Sequence, residues 1–335
     1  PVISGSSSTL TLSMVEDGTF AYDLNATDAD DDGQHILGLV LTMFHKLYPN
    51  LVSMGFISRF ITPLLMARRG GDIIEFFTLD EYKEWSKLTP EHDKYLIKFY
   101  KGLGSSTNAD AKRYFSNMTQ YTKKLKRAEM GLVSLNMFFS KEYIEERKAF
   151  VKLPKHEHDS DTLDGFIKGP LHAYARSSLI RAIPSIDGFK ESTRKIMWTC
   201  LSKKMYGDKK DIKVSELAGL VSTFTHYHHG ETSLQGAIIT LARRFQTVNT
   251  LPLLVDSGQF GSFVGGGNDS ASARYIFTHL EENCKFIFNS ADFEVLPRNR
   301  VDGELAECKL LAPLLPWTLV NGATGIATGF STNIY

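Results

Sequence analysis

Apolar positions in the first third of the chain follow two periods in turn. Phe20-Ala21-Tyr22-Asp23-Leu24-Asn25-Ala26-Thr27 alternates as a strand does, and Ile36, Leu39, Val40, Met43, Phe44 and Leu47 then recur at helical spacing up to Pro49. Residues 56–62 and 73–78 predict strands, the second entered through the Gly70-Gly71 turn, and a polar helix follows over 79–87. Residues 96–100 predict one more strand, running into Lys101-Gly102-Leu103-Gly104. Strands alternating with helices imply an α/β sheet whose ligand sits at the carboxyl edge of the strands.

Residues 108–151 read as helical and charged, and 152–165 as a polar, turn-rich linker in which His156 and His158 are solvated rather than metal-bound. The second half changes character. Helices are predicted over 171–181, ending at Pro184, and over 191–204 with Ile196, Met197 and Cys200 facing inward. Val214, Leu217, Ala218, Val221 and Phe224 mark a third, and Leu234, Ile238, Leu241 and Phe245 a fourth. Compact helices followed by Gly-rich, strand-like segments suit a winged variant of the helix-turn-helix, a DNA-docking module. The expected organisation is an α/β domain over 1–125, a helical connector and linker over 126–165, and an α+β domain over 166–335.

Composition narrows this little. The 335 residues are 42% hydrophobic and 23% charged, ordinary for globular protein, and Lys+Arg 38 balances Asp+Glu 38. Charge distribution is more useful: between Lys168 and Arg244 about thirteen Lys/Arg face about six Asp/Glu, a block that attracts phosphate or forms a solvated surface. Cys200, Cys284 and Cys308 show no CxxC pair or zinc-ligand rhythm, so reduced, buried thiols and an intracellular protein are expected. No apolar run approaches a membrane span and no signal peptide is visible. A start at proline and an end in a loop-like stretch read as a piece of something longer.

The densest chemistry is Thr27-Asp28-Ala29-Asp30-Asp31-Asp32-Gly33, four carboxylates within five positions. A divalent cation or solvent must neutralise them. An EF-hand would need a bidentate Glu at loop position twelve, which is Leu39 here, and a helix upstream rather than a strand. A strand-end magnesium site is therefore preferred over a solvated acidic turn.

In the second half, Tyr227-His228-His229-Gly230-Glu231 sits at a junction of two helices. Adjacent histidines do not share a helix face, which leaves hydrogen bonding to phosphate or backbone, or a satisfied buried pair. In Gly265-Gly266-Gly267-Asn268-Asp269-Ser270-Ala271-Ser272-Ala273-Arg274-Tyr275 the glycines admit a bulky ligand. Tyr275 beside Arg274 is a workable nucleophile for phosphoryl transfer, against the ordinary role of tyrosine as packing. Lys190, Arg194 and Lys195 place cations on a turn and helix start, good phosphate ligands if exposed. Within Asn321-Gly322-Ala323-Thr324-Gly325-Ile326-Ala327-Thr328-Gly329, Ile326 is either a wedge between base steps or a buried side chain in a Gly-rich turn.

Taken in order, TDADDDG with His35-Ile36, YKGLGSST (100–107), FSKEYIEERKAF (139–150), IPSIDGFKESTRKIMW, YHHGE, GQFGSFVGGGNDSASARYIFT and NGATGIATGFST resemble the type IIA DNA topoisomerases over residues 20–335. Toprim and tyrosine modules on one chain, with YHHGE, resemble the eukaryotic and viral branch. The resemblance implies a Rossmann-like parallel Toprim sheet over 1–125 lacking its N-terminal part. It also implies a winged-helix breakage-reunion domain over 166–335, entering the tower region at its end. It makes Tyr275 the nucleophile that forms a 5′-phosphotyrosyl link, with Arg274, Arg194 and His229 around the scissile phosphate. Asp28, Asp30 and Asp32 become ligands of a two-metal magnesium site, and Ile326, Lys190, Lys195, His228 and Lys101 contacts to DNA.

It further implies double-stranded DNA as partner and a homodimer whose active sites are shared between subunits. ATP is used only in the full-length enzyme. The expected location is the nucleus for a cellular eukaryotic member and the host cell interior for a virus- or phage-encoded one. Departures stand beside these expectations. The family's upstream Glu-Gly-Asp motif is absent, Phe263 and Asn268 replace commonly basic residues, Ala273 replaces a frequent proline, and ATPase and exit-gate regions are missing. The rival expectations are a DNA-bending module that does not cut, and a Toprim nuclease.

Overall fold

The computed structural model describes residues 3–5, 8–14, 20–24, 31–50, 57–100, 106–125, 131–154, 162–207, 210–245, 249–301 and 304–334. The chain divides into two compact units, Pro1–Ser177 and Ser178–Tyr335.

In the first unit β1 (Ile3–Gly5), β2 (Ser8–Met14) and β3 (Phe20–Leu24) form an antiparallel sheet. Helix α1 (Asp31–Leu47) follows and leads toward β4 (Ser58–Phe60), which lies beside β3. The face α1 packs is narrower than its apolar content: Leu37 and Leu41 are buried, whereas Leu39, Met43 and Leu47 are exposed. Gly38 sits on the packed face because a Cβ there would lie 2.7 Å from Phe139 Cζ.

Strand β5 (Leu65–Arg69) is the centre of a second antiparallel sheet, flanked by β6 (Asp72–Phe76) and β7 (Leu96–Phe99). Leu65, Met66 and Ala67 are all fully buried. Helix α2 (Leu79–Leu88) starts at a capping box, in which Thr78 accepts from the Glu81 amide and the Glu81 carboxylate accepts from the Thr78 amide. It lays Tyr82 and Trp85 against Phe76, with ring centroids 5.5 and 5.2 Å away. Helix α3 (Asn108–Ser116), strand β8 (Thr122–Lys124, antiparallel to β4), α4 (Gly131–Phe139) and α5 (Ile144–Lys152) complete this part.

The parallel sheet expected here is corrected over the described ladders, every one of which is antiparallel. The reason is local. A turn at Gly70 and Gly71 can join β5 to β6 only as a hairpin, and β7 then pairs antiparallel on the other edge of β5.

Asp110, in α3, organises the unit's polar interior. Its fully buried carboxylate accepts from Tyr100 Oη at 3.1 Å, and from the Thr107 amide and hydroxyl at 3.0 and 2.8 Å. Arg68, Arg113 and Lys98 surround it at 3.1, 3.2 and 3.6 Å. Burial alone would raise its pKa. The Thr107 and Tyr100 hydrogen bonds and the Arg113 charge outweigh that and hold it at about 2.

A helical turn at Leu163–Phe166, a π-helical turn at Ile167–Leu171 and α6 (His172–Ala182) carry the chain across the unit boundary. The second unit is built on α7 (Glu191–Ser202), α8 (Val214–Thr225) and α9 (Glu231–Ala242). Of the apolar positions read from the sequence, Ile196, Met197, Cys200, Val214, Leu217, Ala218, Val221, Leu234 and Ile238 are fully buried in one core, and Leu241 is buried with them. Phe224, by contrast, is half-buried, and Phe245 is half-buried beyond the end of α9. Two-stranded pairs surround it: β9 (Ile212–Lys213) with β10 (Phe277–Thr278), β11 (Arg298–Val301) with β12 (Glu304–Cys308), and β13 (Ala323–Ala327) with β14 (Phe330–Ile334). All three cysteines are free and buried, and burial pushes the Cys200 and Cys284 thiols up to about 12. Among the described residues no helix is long and apolar enough to cross a membrane.

Candidate active site

Helix α8 begins with amide groups that have no partner within the helix. Two of them reach sideways: the Val214 amide donates to the Ile276 carbonyl at 3.0 Å and the Ser215 amide to the Ala273 carbonyl at 3.1 Å. Ala273 and Ile276 are themselves buried. The two residues between these anchors, Arg274 and Tyr275, are therefore held at the surface, with Tyr275 65% exposed. Immediately downstream, Phe277 and Thr278 pair with Lys213 and Ile212, which fixes the exit of the segment as firmly as its entrance. His279 Nδ1 and Ser257 Oγ both contact the Asp211 carboxylate, at 2.6 and 3.1 Å, and tie the adjoining strands together.

Within the projected pair, Arg274 Cζ lies 4.8 Å from the Tyr275 ring centroid. That is a cation–π contact, and it keeps a fixed positive group beside the phenol. A phenol so presented can reach a large, solvent-side electrophile, and the guanidinium can meet charge that builds on it.

The remaining residues divide into exposed and buried sets. Ile326, paired with Ser331 in the β13–β14 hairpin, is 83% exposed, so the reading of it as a buried turn residue is set aside. His228 is exposed, and His229 is half-buried, with Arg181 Nη1 at 3.3 Å from Nε2 and the Tyr227 ring edge-on at 5.2 Å. Lys190 is half-buried at the N-cap of α7.

Arg194 and Lys195 do not form the exposed phosphate ligands that their turn-and-helix-start position implied. Arg194 donates through Nε and Nη2 to the buried Asp187 carboxylate at 2.7 and 2.9 Å, and through Nη2 to the Phe189 carbonyl at 2.8 Å. Lys195 Nζ donates to Glu307 at 2.7 Å and to the Thr225 carbonyl at 3.0 Å, with its side chain 3% exposed. Both are drawn inward by carboxylates whose own desolvation demands a partner.

In the acidic run, Asp28 and Asp30 lie outside the described residues, as does Lys101. Asp32 is half-buried in the first turn of α1. Three residues on, His35 stacks on Tyr174 with centroids 4.2 Å apart; burial lowers its pKa, and the Asp32 charge opposes that shift. Among the described residues no group of three or more His, Cys, Asp or Glu could hold a metal ion.

Sequence reasoning passed over Asp110, although Thr107-x-x-Asp110 is a capping box in plain view. It also passed over Asp187 and Glu307, the carboxylates that bury the two cations.

Known proteins match both units. Residues 181–335 match the family model for the A subunit of DNA gyrase/topoisomerase IV, and residues 60–177 that of the C-terminal associated domain of TOPRIM. A putative mitochondrial DNA topoisomerase 2 of Caenorhabditis elegans is 41% identical over 92% of this chain, which covers 27% of that protein. Human DNA topoisomerase 2-alpha is 37% identical over 92% of the chain, covering 21% of the relative. The crystal structure of the Plasmodium falciparum topoisomerase II DNA-binding, cleavage and re-ligation domain superposes with a TM-score of 0.75 at 36% identity, over 92% of this chain and 43% of that one. The chain thus spans about a quarter of the length of the two full-length relatives. With both units matched, in order and at this identity, the chain belongs to the type II DNA topoisomerase family.

Proposed function

We propose that this chain is the DNA-binding and cleavage portion of a type II DNA topoisomerase, cutting and resealing duplex DNA through Tyr275. In this reading the Tyr275 oxygen attacks a backbone phosphorus. The bond from phosphorus to the 3′ oxygen breaks as the tyrosyl bond forms, the phenol proton is lost and the departing 3′ oxygen gains one. The product is a 5′-phosphotyrosyl link, and attack by the 3′ hydroxyl restores the phosphodiester. Arg274 stabilises the charge that develops on the phosphoryl oxygens, and the twin anchoring of Ala273 and Ile276 keeps the pair oriented without reorganisation. The exposure of Tyr275 with Arg274 over its ring is the observation that carries the reading.

Other residues take supporting parts. His229, with Arg181, would meet the scissile phosphate, and Lys190 and His228 the backbone of the duplex. Ile326, projecting from its hairpin, would enter a base step and bend the duplex. Arg194 would act by fixing the 187–194 turn through Asp187, not by touching phosphate. The second unit would be the winged-helix breakage-reunion domain and the first a Toprim domain and its connector.

Asp28, Asp30 and Asp32 would be the magnesium ligands: carboxylates are the hard oxygen donors that magnesium takes, and Asp32 is half-buried in the first turn of α1. Bound there, magnesium would supply charge stabilisation for the leaving oxygen and a neighbouring phosphate. Two chains would share each active site, and ATP-driven strand passage would belong to the complete enzyme.

Incubation of the full-length enzyme with supercoiled plasmid and magnesium, stopped with detergent and protease, tests the proposal. Linear DNA with protein-blocked 5′ ends is expected. Free 5′ phosphates would indicate a Toprim nuclease, and intact but bound plasmid a DNA-bending module.

A further inference from the structure

The strand before Tyr275 and the strand that carries it are two arms of one hairpin. Phe277 and Ser257 exchange backbone hydrogen bonds at 2.9 and 3.1 Å, and the Ala271 amide donates to the Gln259 carbonyl at 2.9 Å. Residues 261–270 are the tip of this hairpin, and Phe263 and Val264 stand out from it, 65% and 96% exposed.

This tip is built, not slack. Asp269 accepts from the Ser262 amide and hydroxyl at 2.8 and 2.6 Å, and the Gly267 amide donates to the Ser262 carbonyl at 2.9 Å. Arg243 braces it from below through the Phe260 and Gly267 carbonyls. Gly261, at φ +100°, lets the two sides close: a Cβ there would lie 2.8 Å from Gly267 Cα. The Phe245 ring meets Phe263 edge-on, with centroids 6.5 Å apart. These bonds hold two largely exposed apolar side chains in a fixed position. Residues 261–270 contain no Lys or Arg, so the tip brings no cationic side chain of its own to a phosphate.

We infer that Phe263 and Val264 are an apolar contact to the bases of the duplex beside the phosphate that Tyr275 attacks, a second wedge besides Ile326. The inference rests on the proposed function, because the hairpin that ends in Arg274 and Tyr275 must lie along DNA for its tip to do so. With no cationic side chain on the tip, the contact is stacking against a base face and not a salt-dependent grip. The contact favours steps that unstack easily, and adds to the site preference of this chain.

The test uses the full chain with a short fluorescein-labelled duplex, read by anisotropy across a salt series, and the same duplex scanned with 2-aminopurine. The double variant Phe263→Ser, Val264→Ser is expected to bind about tenfold more weakly, with the slope against salt unchanged, and to lose the 2-aminopurine rise at one step. Phe263→Lys should regain affinity with a steeper slope. Phe286, 76% exposed elsewhere in the unit, supplies the control Phe286→Ser, which should behave as the parent. Equal binding and an equal 2-aminopurine signal in the double variant would overturn the inference while leaving the cleavage reading intact. A change in self-association with unaltered DNA binding would overturn it too, marking the tip as a contact between copies. A parent chain that binds no duplex would bring down both.

Discussion

Arg274 Cζ sits 4.8 Å from the centre of the Tyr275 ring, and both side chains stand in solvent between two buried, hydrogen-bonded neighbours. Such a pair contributes little to the core, so its loss should be felt in chemistry and not in stability. Arg274→Ala is expected to lower the rate of DNA cleavage by about a hundredfold. Its unfolding midpoint in urea should correspond to a change within about 0.5 kcal/mol. Single-turnover cleavage and urea titration of the same variant check both halves.

Lys195 behaves oppositely. Its ammonium is enclosed with Glu307, and Asn299 Nδ2 donates to the other Glu307 oxygen at 2.7 Å. Lys195→Met leaves a buried carboxylate unpaired and is expected to cost about 3–5 kcal/mol of unfolding free energy. Adding Glu307→Gln should recover part of that loss, and urea unfolding of the two variants measures it. For Lys190→Met, by contrast, the salt dependence of DNA binding should shallow with folding intact.

The two adjacent cations show what the sequence left hidden. Arg194 and Lys195 looked like surface phosphate ligands because a charged pair at a helix start usually faces water. Their partners, Asp187 and Glu307, lie 7 and 112 residues away, and nothing in local patterning links them. The helices of the second unit were readable because Val214, Leu217, Ala218 and Val221 fall on one stripe and all face the core. Strand β5 was missed for the converse reason. It is buried on both faces, so Leu65-Met66-Ala67 shows no alternation to mark it. Tyr275 and Arg274 were legible as chemistry. Their tethering to the first turn of α8 was not, since it joins segments about sixty residues apart through backbone alone.

Asp110 contributes to the acid sensitivity of the first unit. Its pKa of about 2 lies below that of an unfolded carboxylate, about 4. Its contribution is therefore complete above about pH 4 and is lost as pH falls toward 2, an effect of about 2 kcal/mol. Asp110→Asn should be less stable than the parent at neutral pH and should lose less stability across that interval. Thermal melts from pH 5 to about 2, compared between the two, decide it.

Ile326 projects from a regular hairpin, and its neighbour Gly325 packs against Ala182, Ile183 and Pro184. Replacing it should leave that packing alone. Ile326→Ser is expected to reduce DNA bending, seen as a longer end-to-end distance by energy transfer in a doubly labelled duplex. Its melting temperature should stay near the parent's, because an exposed side chain has little packing to lose.

The central claim is that Tyr275 becomes joined to DNA. In the full-length enzyme with magnesium, detergent-trapped adducts should map by mass spectrometry to the peptide bearing Tyr275, and Tyr275→Phe should bind duplex but trap none. Adducts that persist in Tyr275→Phe, or that map to another residue, would contradict the account.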